Sequence, residues 1–226
     1  MNLEEHYNTL YTQSLAKIAS NTYEIDPMID DETDQRFGIT LVIRPNERTK
    51  ANIQSFLNEI QTIEPNQYYY PDSDLHVTLL SVISCYTGFD INDIDINRYV
   101  DLIRETLKSY TKFNIQFRGI TASPSCIMIR GFATEALNAI REDLRAAFKS
   151  TTLQQSIDKR YTIQAAHATV VRFKEKLSNP TALIDLIEKY KDFDFGTFEV
   201  NRIELVHNDW YQRKRFVQKL ESFDLR

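Results

Sequence analysis

The chain has 226 residues, a formal net charge of -5, 42% hydrophobic and 12% aromatic residues, and only 5 glycines and 6 prolines. Such a composition excludes collagen-like, low-complexity and disordered chains, and the length suffices for one large domain or two small lobes with a sizeable core. The acidic balance argues against long duplex nucleic acid as a partner, since duplex binding usually leaves a basic footprint; it leaves room for a small phosphate ligand held by a local cluster of donors.

The first residues, MNLEEHYNTLYTQ, lack the basic and apolar regions of a signal peptide, and no run approaches the ~18 apolar residues of a membrane span. Cys85 and Cys126 form no C-x-x-C pair. A cytoplasmic, non-membrane protein with both thiols free in its core is expected.

Residues 1–35 read as an N-terminal helical extension, with a helix over Leu3 to Ser20 showing Leu10, Leu15 and Ile18 on one face, then a solvated acidic linker, Asp26 to Asp34. Residues 36–226 read as a single bilobal domain. A strand over Phe37 to Ile43 is stopped by Pro45. The spacing of Ile53, Phe56, Leu57 and Ile60 predicts a helix over Glu47 to Thr62. QYYYPDSD gives a short strand and a turn, and LHVTLLSVIS a strand from Leu75 to about Ser84. A helix over Asn97 to Tyr110 points Tyr99, Val100, Ile103 and Leu107 inward.

The second half repeats these ingredients. A hairpin turns at Ser123-Pro124-Ser125, and a helix over Thr134 to Lys149 carries Leu137, Ile140, Leu144 and Phe148. A strand covers about Ala166 to Phe173, and Pro180 opens another helix. Two strands, TFEVNRIELVH and RKRFVQKLESFDL, close the chain around NDWYQ. Strands joined by short turns and interleaved with helices favour an α+β fold with antiparallel sheets. Neither G-x-G-x-x-G nor G-x-x-x-x-G-K-[ST] occurs, which removes the main support for a Rossmann or P-loop reading.

Histidine is the informative residue. Of His6, His76, His167 and His207, two begin the same pattern: His76-Val77-Thr78-Leu79 and His167-Ala168-Thr169-Val170. With 19 threonines in the chain, a given histidine meets Thr two positions on about one time in twelve, so two such pairs among four are more than composition predicts. Residues i and i+2 of a strand share a face, so each pair sets an imidazole beside a hydroxyl, with Val77 and Leu79, or Ala168 and Val170, turned to the core. A core strand with satisfied polar residues explains one H-x-T; two in matching positions favour a functional pair.

This pattern resembles the 2H phosphoesterases, which include the 2′-5′ RNA ligase-like proteins and cyclic nucleotide phosphodiesterases and carry one H-x-[ST]-hydrophobic motif in each lobe. RFGITLVIRP followed by a helix, and IELVHNDWYQRKRFVQKLESFDL, look like that family's opening strand and helix and its closing hairpin, so the likeness runs from about residue 36 to the C-terminus. The resemblance implies a pseudo-twofold fold of two antiparallel sheets flanked by helices around a central cleft, with His76 and His167 catalytic.

The chemistry suits these residue types. Phosphodiester cleavage removes a proton from the attacking water or hydroxyl and gives one to the leaving oxygen, and imidazole titrates near neutral pH. Thr78 and Thr169 would hydrogen-bond non-bridging oxygens. No metal or cofactor is required. Tyr70, the last of the Tyr68-Tyr69-Tyr70 run, is a candidate to stack on a base. Arg130 is the candidate phosphate guanidinium; Arg172 is ranked below it, because an odd offset from His167 turns it away on a regular strand. Trp210 and Tyr211 line the cleft or cap the core, while His6 and His207 read as ordinary surface or packing histidines. The expected substrate is a small nucleotide or RNA end bearing a 2′,3′-cyclic phosphate or a 2′-5′ linkage, handled by a monomer. A non-catalytic nucleotide or RNA-end binder of the same fold, and a sugar mutarotase-type acid/base enzyme, are the alternatives.

Overall fold

The computed structural model describes residues 2–226; residue 1 of the N-terminal segment lies outside them. Helix α1 spans Leu3–Ala19. Strand β1 (Arg36–Ile43) leads into α2 (Glu47–Ile63), whose Asn46 cap accepts the Thr49 N–H. Next come β2 (Tyr68–Tyr69), β3 (Val77–Thr87) and α3 (Ile96–Leu107). The hairpin β4 (Phe113–Ser123) and β5 (Cys126–Ala133) turns at Pro124-Ser125 and precedes α4 (Glu135–Lys149). The chain finishes with β6 (Ala168–Arg172), α5 (Pro180–Lys189), β7 (Asp194–Val200), β8 (Arg202–Asp209) and β9 (Gln218–Asp224). The apolar stripes expected on α2, α3 and α4 are all buried. No helix is long and apolar enough to cross a membrane among the described residues.

Two antiparallel sheets form an α+β fold, ordered β3-β1-β8-β9 and β2-β6-β5-β4-β7. The closing segment TFEVNRIELVH is not one strand. It breaks at Asn201, and its halves join different sheets, β7 beside β4 and β8 beside β1. The two sheets therefore are not the two halves of the chain: β2 crosses to the second sheet, and β8 and β9 return to the first. The helices cross as well. Helix α2 follows β1 but packs on β7 and α5, and α4 follows β5 but packs on β3 and α3.

The N-terminal segment is built into this body. Helix α1 lies on β4 and α5 and buries Tyr7, Tyr11, Ser14 and Ile18, in place of the Leu10, Leu15 and Ile18 face expected from spacing. Tyr7 and Ser14 can turn inward because their hydroxyls find partners: Tyr7 Oη donates to Gly131 O at 3.1 Å, and Ser14 Oγ to Ala122 O at 2.8 Å. Nor is the acidic stretch a wholly solvated linker. It forms a single 3₁₀ turn at Pro27–Asp30 that buries Ile29, and the Asp26 N–H donates to Phe173 O.

Candidate active site

His76 immediately precedes β3, and His167 immediately precedes β6. Each imidazole thus stands at a strand entrance rather than inside the strand, and its Thr is the second strand residue. Burial alternates as the pattern demands: Val77, Leu79, Ala168 and Val170 are fully buried, whereas both histidines and both threonines are partly accessible. The two motif strands belong to different sheets, and their accessible faces line one cavity of about 180 Å³ that contains His76, Thr78, His167 and Thr169.

β-Bulges shape both motif strands. In β3, Leu41 and Val42 of β1 face Leu80 and Thr78, so Leu79 is extra. In β6, Ile127 and Met128 of β5 face Val171 and Thr169, so Val170 is extra. The fourth residue of each motif is therefore the bulge, and it shifts the alternation by one. The fifth residue after each histidine, Ser81 or Arg172, returns to the cavity face.

This explains why parity misranked the arginines. Arg172 lines the cavity; its Nε donates to Tyr70 Oη at 3.0 Å, and its guanidinium lies 5.1 Å from the centre of the Tyr211 ring. Arg130 is corrected as a substrate ligand. It is 2% exposed and absent from the cavity wall, and four of its five N–H donors are committed to the carbonyls of Arg118 and Lys191 and to the side chains of Asn8 and Asp192. Tyr70 does line the cavity, but its hydroxyl is engaged by Arg172, and it is buried edge-on to Tyr68, which leaves it a wall rather than an open stacking platform. Tyr68 and Tyr69 pair with β6 and are absent from the cavity wall.

Further wall comes from Trp210 and Tyr211, already named as cleft candidates, and from residues that no motif announces. The irregular segment 151–167 contributes Ser156, Asp158, Arg160 and Tyr161, and the β8–β9 connection contributes Trp210, Tyr211 and Gln212. The guanidiniums of Arg160 and Arg36 lie over the Trp210 ring at 4.6 and 4.9 Å. Asp158 is paired with Arg145 at 2.7 Å, which leaves Arg160 and Arg172 to dominate the cavity's charge despite the acidic chain. A signal for segment 151–167 exists in the sequence: a long irregular connection inside a compact domain is usually functional.

The imidazoles differ in their anchoring. His76 Nδ1 lies 2.7 Å from the Asp74 carbonyl oxygen. A carbonyl only accepts, so Nδ1 carries the proton and Nε2 keeps its lone pair. The Asp74 carboxylate in turn accepts the Lys214 N–H and the Ser73 hydroxyl. Burial pushes the His76 pKa down to about 3, helped by the positive charge of Arg44 and only partly opposed by the Asp74 carbonyl. Burial and the charges of Arg141 and Arg172 push His167 down to about 4. Both rings are therefore neutral at pH 7. Cys85 also borders the cavity, but burial pushes its thiol up to about 12, which removes it as a nucleophile. His207 packs away from the cavity, stacked on Phe37 at 5.2 Å.

The 2′-5′ RNA ligase superfamily profile matches residues 49–211. No curated protein matches the chain by sequence. Among solved structures, the Thermus thermophilus protein TT0787 shares 17% identity at a TM-score of 0.60, over 83% of this chain and 97% of that one. Escherichia coli LigT complexed with 3′-AMP shares 14% identity at 0.56, over 84% and 98%. A conserved protein of unknown function from Agrobacterium tumefaciens shares 15% identity at 0.58, over 93% and 98%. These structural likenesses establish a common fold, and the profile match, over more than half of the sequence and both H-x-T motifs, establishes kinship: the chain belongs to the 2′-5′ RNA ligase superfamily of 2H phosphoesterases.

Proposed function

We propose that this chain is a metal-independent phosphodiesterase that opens a 2′,3′-cyclic phosphate, or cleaves a 2′-5′ linkage, on a small nucleotide or RNA end. The observation that carries this reading is the meeting of both H-x-T pairs and Arg172 in one cavity. A volume of about 180 Å³ suits a ribose phosphate rather than a helical segment, and LigT, of the same fold, has been crystallised with 3′-AMP and with NADP⁺.

In the hydrolytic direction His76 acts as base. Its free Nε2 takes a proton from water, the water oxygen bonds to phosphorus, and the bond to one ribose oxygen breaks. His167 gives that oxygen its proton. The entering phosphodiester supplies the negative charge that lifts His167 from its depressed pKa and lets it hold a proton first. Thr78, Thr169 and Arg172 hold the non-bridging oxygens. In the ligation direction the two histidines exchange roles. No three His, Cys, Asp or Glu side chains form a metal-ligating group among the described residues, so the donor set favours acid/base chemistry over metal chemistry.

The test is turnover of 2′,3′-cyclic nucleotides, 2′-5′ oligonucleotides and aldose anomers in EDTA by the wild type, His76→Ala and His167→Ala. Expected is phosphodiester cleavage that survives chelation and falls by about 10²–10⁴ in each variant. Nucleotide binding without turnover would favour a binder instead, and anomer interconversion alone would favour the mutarotase reading.

A further inference from the structure

On α4 the apolar positions Leu137, Ile140, Leu144 and Phe148 share a stripe with one charged residue, Arg141, which is 1% exposed. Its Nε donates to Leu79 O at 2.9 Å, and its Nη2 to Thr78 O at 3.1 Å. Nη2 also donates to Ala165 O at 2.8 Å, and Nη1 to Gln164 O at 3.1 Å. Four main-chain carbonyls from two separate segments thus converge on one guanidinium. No carboxylate pairs with it among the described residues. Burial pushes its pKa down to about 10.

The two segments are those that carry the motifs. Thr78 is two residues after His76, and Ala165 is two residues before His167. Successive carbonyls of a regular strand point to opposite edges. At the Leu79 bulge, on edge strand β3, Thr78 and Leu79 both present theirs to Arg141. Segment 164–167 has no ladder partners of its own until β6 begins. A buried cation without a counter-ion is costly, and an apolar side chain of similar volume would fill such a stripe more cheaply. An apolar residue, however, would leave four carbonyls without donors, and lysine offers three donors at one point instead of a planar fork.

We propose that Arg141 is a positioning residue that clamps the two H-x-T segments, one from each sheet, into a single frame and so sets the separation of the two imidazoles. This rests on reading His76 and His167 as the acid/base pair. Arg141 touches no reacting atom; it acts through the main chain behind them. Tyr7 of α1 holds the neighbouring strand, its Oη accepting the Gly131 N–H while donating to Gly131 O, and Gly131 lies against the Ala166 carbonyl of the second segment.

The experiment compares wild type, Arg141→Lys and Arg141→Met. For the wild type and each folded variant, kcat and KM are measured on a 2′,3′-cyclic nucleotide, well below the melting temperature, and the imidazoles are titrated by NMR. Expected is a fall in kcat of about tenfold to a hundredfold in Arg141→Lys, as a misplacement of order 1 Å produces, with KM changed by less than about threefold. In Arg141→Met, the loss of the charge facing His167 raises the His167 titration midpoint. Variants that melt earlier yet keep kcat within about twofold of wild type would show a purely structural role and overturn the proposal. If the wild type itself cleaves no phosphodiester, the reading of the site fails separately, and the titrations still decide: unchanged imidazole shifts and midpoints in both variants would overturn the clamp.

Discussion

Arg130 and Arg172 show how little a residue's type says without its environment. Both sit on strands of the second sheet. Arg130 is sealed into the body by carbonyls and by Asp192, while Arg172 reaches the cavity and is steadied by Tyr70, Tyr211 and Asp26. Replacing each by Met separates the roles. Arg172→Met should raise KM for a cyclic nucleotide by about tenfold or more, the worth of a charge-assisted contact of roughly 1.5–3 kcal/mol, and lower stability by about 1–3 kcal/mol because the buried Tyr70 hydroxyl loses its partner. Arg130→Met should also lower stability by about 1–3 kcal/mol, through unpaired carbonyls, but leave KM near wild type; chemical denaturation beside steady-state kinetics reads both.

At the scale of the element, the bulges after Thr78 and Thr169 convert two ordinary strands into site builders. Each keeps His and Thr on the cavity face, lets two successive apolar residues face the core, and returns the fifth residue after His to the cavity. Close approach of backbones fixes where the second motif begins. A Cβ on Gly131 would come within 1.9 Å of the Ala166 carbonyl oxygen, so only glycine lets β5 lie against the residue before His167. Gly131→Ala should push segment 164–167 away, shift the His167 imidazole resonances, and lower activity by about tenfold or more. Normal activity with unshifted resonances would refute that role.

At the scale of the whole molecule, the two neutral imidazoles cost acid stability. Each has a folded pKa below its unfolded value of 6.5, at about 3 for His76 and about 4 for His167. The unfolded chain therefore binds more protons as pH falls below 6.5, and the stability present above that pH is lost progressively toward pH 4 for His167 and pH 3 for His76, by at most about 1.4 kcal/mol per pH unit for each group. Denaturation of wild type and of a His76→Asn, His167→Gln double variant between pH 7 and 4 should show the steeper decline in the wild type; equal slopes would contradict the neutral, buried state. The N-terminal segment belongs to this scale too. Deleting residues 2–34 strips α1 from β4 and removes Tyr7, Tyr11 and Ile18 from the core, each of which stabilises by about 1.5–3 kcal/mol on burial. The deletion should lower the melting temperature sharply, as calorimetry would register.

Much of this was legible in the sequence because it depends on short-range geometry. Side chains two apart on a strand and three or four apart on a helix share a face whatever lies beyond, so the H-x-T pairs, the stripes of α2, α3 and α4, and the α+β class could be read from spacing alone. Arg141 was legible in the same way, as a charge on an apolar stripe, yet its partners were not, because they lie 23 to 63 positions away along the chain. Spacing points to a different face of α1 because two of its inward residues are tyrosines, apolar in body, and the Tyr7 hydroxyl is satisfied only by distant Gly131. The parity of Arg172, the splitting of TFEVNRIELVH between sheets, the exchange of α2 and α4 between lobes, and the wall built by segment 151–167 were decided by the tertiary structure. A bulge arises from pairing with another strand, and a cavity from the convergence of segments. The sequence by itself determined which groups are available for chemistry; only long-range register and packing determined which of them meet.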